Sequence, residues 1–184
     1  MPIKTKLKTM NEIIKKNGIT FGLISGLLSI LITTLIYIID LNLFTSWWLG
    51  VVIIITYIIV AVILMSKTKK ELKGQFSFKE AFTTYFICAL VALVLSVSFN
   101  IILFNFIDPG AKEIIKDATM KAMVQVFEKF DTPAAVANEA LKTLKDNDQF
   151  SIANLLRGSL TNIIVSSIFG LLLAAIFKTK TIQE

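Results

Sequence analysis

The chain has 184 residues, of which 55% are hydrophobic, and its mean hydropathy of +0.74 is too high for an ordinary soluble domain. It has no histidine and a single cysteine, Cys88, which excludes an intrachain disulfide, a Ser-His-Asp or Cys-His catalytic group and the usual Cys/His metal site. The net charge of +6 would fit nucleic acid only if a recognition motif accompanied the lysines; none does, so no nucleic-acid partner is expected.

Four runs without a charge organise the rest: Gly18 to Ile39 (22 residues), Leu41 to Ser66 (26), Ala81 to Ile107 (27) and Gly158 to Phe177 (20). A helix needs about 20 apolar residues to cross a hydrocarbon core of roughly 30 Å. The expected fold is therefore an all-α integral membrane protein, a four-transmembrane-helix bundle with an amphipathic helical hairpin between spans three and four.

Residues 1–17 place Ile3, Leu7, Met10 and Ile14 at helical spacing among lysines. They read as a basic amphipathic segment on the membrane surface, or as a frayed tail. No small-x-small cleavage site follows a short apolar core, so the N-terminus reads as an uncleaved signal anchor. Spans one to three then occupy residues 18–107. Span one opens "GITFGLISGLLS", with Gly18, Gly22 and Gly26 in register and Ser25, Ser29 and Thr33 in a second small row. In lipid no hydrophobic force drives helices together, so such stripes mark the face of closest packing, within the chain or in a dimer. Span two follows Trp47 and Trp48, which suit the interfacial aromatic belt, and its "VVIIITYIIVAVILM" reads as lipid-facing wall.

A lysine-rich loop leads to "GQFSFKEAFTTYF", residues 74–86. Ser77 with Glu80 three residues later is a capping-box pattern, and Gly74 would supply the preceding turn. Span three, Ala81 to Ile107, would be about 40 Å long, with Asn100 and Asn105 near its far end. Together with Asn162 of span four these asparagines would line a polar path if they converged; singly, each would bond a neighbouring helix. Asp108-Pro109-Gly110 ends the span.

Residues 108–150 read as the hairpin. An apolar row of Ile115, Ala118, Ala122, Val126 and Phe130 marks its first helix, and Val136, Ala140, Leu141 and Leu144 a weaker face on its second. Between them Thr132 is placed to cap, with Pro133 as the first helical residue. Span four occupies residues 151–177 and a basic tail 178–184.

Lysines settle the expected orientation. The N-terminal segment, the loop between spans two and three, and the C-terminal tail together carry 12 basic and 4 acidic residues, the opposite side 7 and 9. The positive-inside rule puts both termini in the cytoplasm, where the lysines would meet anionic lipid head groups, and puts the hairpin outside.

No phosphate-binding loop or HExxH motif is present. "DNDQFS", residues 146–151, resembles the opening of a calcium loop, but the glycine is missing and Arg157 stands where a bidentate Glu belongs. The central parts of the spans have no charged residue, which speaks against a proton relay or an intramembrane enzyme. No catalytic, cofactor-binding or metal-binding residues are expected.

The G-x-x-x-G opening of span one, the lysine-rich loop and "G-x-F-S-F-K-E-A-F" entering span three together resemble the domain-of-unknown-function 4199 family, over about Lys15 to Lys178. The resemblance implies a small multi-span protein of a bacterial inner membrane, mainly in Bacteroidetes. It implies no activity, cofactor or catalytic residue. The functional expectation is a non-enzymatic scaffold or accessory subunit acting through helix packing, its partner a second copy or another membrane protein. The alternatives are a channel or transporter for a small solute, and a sensor of an extracytoplasmic ligand.

Overall fold

The computed structural model describes residues 3–179, with side chains from Thr9 onward. The expectations placed on the side chains of Ile3, Lys4, Lys6, Leu7 and Lys8, and on Lys180, lie outside that description. Six α-helices follow one another: α1 (Ile3–Ile39), α2 (Trp47–Glu71), α3 (Phe78–Ile102), α4 (Ala111–Lys129), α5 (Ala134–Asp146) and α6 (Ile152–Phe177). A 3-10 turn, Leu41–Thr45, joins α1 to α2, and a π-turn, Leu103–Ile107, prolongs α3. Four helical segments are long and apolar enough to cross a membrane: Thr9–Ile39, Trp47–Glu71, Phe78–Ile107 and Ile152–Phe177. No strand occurs among the described residues.

The central helix is α3, with α1 and α6 packed most extensively on it, while of the four spans α2 touches its neighbours least. The reason is side-chain size. Gly18, Gly22 and Gly26 of α1 lie against Ile87, Val91 and Leu95 of α3, so closely that a Cβ on Gly22 would stand 2.6 Å from that of Val91. One stripe of small residues thus meets one stripe of branched ones, each advancing four residues per step. In contrast, the buried residues of α2 (Ala61, Leu64, Met65 and Thr68) all belong to its second half.

That second half is clamped at the lysine-rich end of the bundle. The Asn17 amide donates to Thr68 Oγ1 at 3.2 Å and to Glu71 Oε2 at 2.9 Å, and Lys67 Nζ sits 5.5 Å from the centre of the Phe21 ring. Phe76, fully buried in the α2–α3 loop, accepts through its carbonyl from the Thr179 amide at 2.8 Å and donates to Thr179 Oγ1 at 3.0 Å. The chain following α6 is thereby strapped to that loop. Lys73 and Gly74 reach it through left-handed backbone, φ 53° and 80°.

Two expectations are corrected. The basic segment is neither a frayed tail nor a separate surface helix: residues 3–17 continue without a break into span one as α1, with Met10, Ile13 and Ile14 packed into the cluster containing Leu72 and Phe76. At the hairpin, Pro133 is the residue before the helix, φ −54° and ψ 133°, and α5 begins at Ala134 with no side-chain cap from Thr132. The extended ψ keeps Pro133 outside the helix, while its carbonyl accepts from Val136 and Ala137.

The α4–α5 hairpin is tied down only at its base. Ala111, Ile115 and Ala118 are buried, and Phe104 contacts Phe44 and Phe150 with ring centroids 6.0 and 4.4 Å apart. Lys112 pairs with Asp148 at 2.9 Å, and the Tyr37 hydroxyl donates to Asp108 at 3.0 Å. Farther out the apolar row is bare: Val126 and Phe130 are exposed, and α5 buries no residue.

Candidate functional site

A cavity of about 330 Å³ lies between the four spans, lined from every one of them. Of the other three spans, α2 packs least on α3. The lining from α3 is a helical stripe, Tyr85, Cys88, Ala89, Ala92 and Ser96, with Leu93 at its edge, and the small members of the stripe leave room beside them. Ser25 and Ser29 face it from α1, Tyr57 from α2, and Asn162 and Ser166 from α6.

Hydroxyls and one carboxamide give this cavity its polar character. Ser29 Oγ and Ser96 Oγ share a hydrogen bond of 2.9 Å, Ser25 Oγ stands 4.0 Å from Cys88 Sγ, and Ser166 Oγ donates to Asn162 Oδ1 at 3.2 Å. The Asn162 amide N–H groups and the Tyr85 hydroxyl have no hydrogen-bond partner among the described residues. Gly170 of α6 fixes the tyrosine ring, for a Cβ there would lie 2.7 Å from Tyr85 Cδ1. Tyr85 is half-buried and Asn162 exposed, and no fully buried side-chain N or O among the described residues lacks a partner, so both donors stay accessible to a molecule in the cavity. Chemically the site offers hydrogen bonds to an uncharged acceptor, flanked by apolar wall. No charged side chain lines it, and no metal-holding group of His, Cys, Asp and Glu occurs among the described residues.

The singled-out residues are distributed as follows. Gly18, Gly22 and Gly26 are consumed by packing within the chain, while Ser25 and Ser29, beside them, form cavity wall. Ser77 and Glu80 make both halves of a capping box: Ser77 N donates to Glu80 Oε2 at 2.8 Å, and Glu80 N to Ser77 Oγ at 3.3 Å. The three asparagines do not converge, so they form no common path. Asn100 donates to the Ser96 carbonyl of its own helix at 2.8 Å. Asn105 belongs to the hairpin base, donating to the Phe150 carbonyl at 3.0 Å and accepting from Lys112 at 3.3 Å. Asn105 lies nine residues beyond Ser96, about 13 Å up the helix, too far to reach the cavity. Only Asn162 faces it.

Tyr57 and Tyr85 are polar lining residues that sequence reasoning passed over, and it gave Cys88 no place in a site. Tyr85, Cys88 and Ser96 share one face by spacing, but α3 is apolar all round and its sequence singles out no face.

The model of the family described as "protein of unknown function (DUF4199)" matches residues 20–179, which takes in most of the first span, the other three and every cavity residue named above. The chain belongs to that family. No curated protein and no solved structure matches it. Family membership and four membrane-length apolar helices together define a multi-pass DUF4199 membrane protein.

Proposed function

We propose that this DUF4199 protein is a non-enzymatic membrane protein that takes a small uncharged molecule into the cavity between its spans, as a carrier or receptor. The observation that carries the reading is the pair of unpartnered donors, Tyr85 and Asn162, facing an uncharged cavity lined by all four spans. A scaffold working through the glycine stripe is less well supported, since α3 already covers that stripe. A scaffold working through the hairpin keeps the bare residues Val126 and Phe130 in its favour. Photocrosslinking from position 130 to another membrane protein or a second copy would favour it.

Thiol access tests the cavity. Maleimide attacks the thiolate, which forms in polar surroundings and is suppressed in hydrocarbon. In a Cys88→Ala background, Ser166→Cys is expected to react with N-ethylmaleimide at least tenfold faster than Ile164→Cys, which is 63% exposed on the same helix. Equal rates would overturn the reading.

The lysine-rich end is assigned to the cytoplasm of a bacterial inner membrane, with both termini there and the hairpin outside. Lys15, Lys16, Lys69, Lys70, Lys73 and Lys79 would meet anionic head groups.

A further inference from the structure

We infer that the cavity takes its ligand sideways from the bilayer, and that this ligand is a neutral, lipid-dissolved molecule bearing a hydrogen-bond acceptor such as a carbonyl. The inference rests on the cavity reading above and adds the route and the ligand class. Both ends of the bundle are packed shut. At the lysine-rich end Ile14, Ala61, Met65, Ala81, Leu173 and Ala174, drawn from all four spans, belong to one buried cluster. Ala61 also lines the cavity, so that cluster is its floor. At the hairpin end Leu103, Phe104, Ala111 and Ile115 are buried together, with Phe44, Phe99 and Phe150 packed on them.

The flank of the bundle differs from its ends. Asn162 lines the cavity and is nevertheless exposed. It stands ten residues beyond Ile152, the start of α6, which is about 15 Å along the helix and about half of a hydrocarbon core of roughly 30 Å. Exposure at that depth is exposure to lipid. Leu160, Ile164 and Val165 beside it are exposed as well, as lipid-facing residues should be. Neither α2 from Trp47 to Val60 nor α6 from Ile152 to Phe169 buries a residue. This separates the ligand classes. A water-soluble solute meets a packed end from either face of the membrane. An ion would have to enter hydrocarbon and would then find a lining that holds no charge. A plain hydrocarbon would leave the Asn162 amide hydrogens and the Tyr85 hydroxyl unbonded, where lipid offers no acceptor. A neutral molecule with a carbonyl dissolves in the bilayer and satisfies those donors.

The experiment uses the full chain in nanodiscs, where both membrane faces meet water, carrying Cys88→Ala and Ser166→Cys. N-ethylmaleimide is expected to label position 166, and a sulfonated, membrane-impermeant maleimide to react there at least tenfold more slowly. A Lys73→Cys control, at the lysine-rich end, should react with both reagents at comparable rates. Equal rates of the two reagents at position 166 would reveal a watery way in from one end and overturn the route, leaving the cavity reading intact. Benzophenone, rigid and uncharged with one carbonyl, is the probe for the ligand class. It should slow N-ethylmaleimide labelling at least tenfold, while diphenylmethane, a similar shape without the carbonyl, should slow it little. Adding Tyr85→Phe or Asn162→Leu should raise severalfold the benzophenone concentration that protects. Equal protection by diphenylmethane, no protection by benzophenone, or unchanged protection in both variants would overturn the class. Failure of Ser166→Cys to label with N-ethylmaleimide at all would instead strike the cavity reading itself.

Discussion

Asn17 and Glu80 illustrate two grades of polar anchoring at the same end of the bundle. Asn17 is 2% exposed, and its amide holds α1 to Thr68 and Glu71 of α2 across the interior. A hydrogen bond to a charged partner is worth about 1.5–3 kcal/mol. Asn17→Ala is therefore expected to lower stability by about 2 kcal/mol, read as a fall in the thermal unfolding midpoint in mild detergent. Glu80 acts locally, closing the capping box with Ser77. Loss of a cap costs about 1 kcal/mol, so Ser77→Ala should lower the midpoint by a smaller step. Glu80→Ala should do likewise, while Glu80→Gln, which still accepts from the Ser77 amide, should largely retain it. An unchanged midpoint in Glu80→Ala would show that the box does not stabilise α3. The box was legible in sequence because it spans four residues. The Asn17 bridge was not, since its partners lie 51 and 54 positions away.

At the level of helices, the glycines separate into two kinds that look alike in sequence. Gly22 is pressed against Val91 and the Cys88 carbonyl, whereas Gly50 and Gly158 have open space beside them. Overpacking a tight contact costs about 1–3 kcal/mol, and removing glycine from a helix interior returns up to about 1 kcal/mol. Gly22→Leu should accordingly lower the unfolding midpoint, and Gly158→Ala should hold or raise it. Equal effects at the two positions would refute the assignment of the α1–α3 seam. The existence of the four spans was readable from charge-free runs, but not all of their ends, since α1 begins well before Gly18 and α2 continues past Ser66 to Glu71. Which face of α3 met which partner was not, because its surface is apolar in every direction and gives periodicity nothing to mark.

Across the whole molecule, charge and clamping coincide. The lysine-rich end also carries the Asn17 bridge and the Phe76–Thr179 strap, and the buried residues of α2 all lie in the half nearer that end. The hairpin end is closed too, by the buried cluster of Leu103, Phe104, Ala111 and Ile115, so the cavity lies between two packed ends. In a Cys88→Ala background, a cysteine at Lys73 should react with a membrane-impermeant maleimide only after cells are opened, and one at Lys142 in intact cells. The reverse pattern would invert the assigned orientation.

Sequence alone determined that the chain has four helices long and apolar enough to cross a membrane, which end bears the lysines and which family it resembles. Those properties follow from composition and short-range spacing, which survive without knowledge of partners. It also marked Ser25, Ser29 and Asn162 as small or polar positions in apolar runs, but not that they face one another. Tertiary structure alone decided that the glycine stripe is spent inside the chain, that Asn100 and Asn105 turn elsewhere, and that Tyr85 and Asn162 keep free donors in a shared space. A cavity is the volume that packing fails to fill, and that is set by how several helices meet rather than by any one of them.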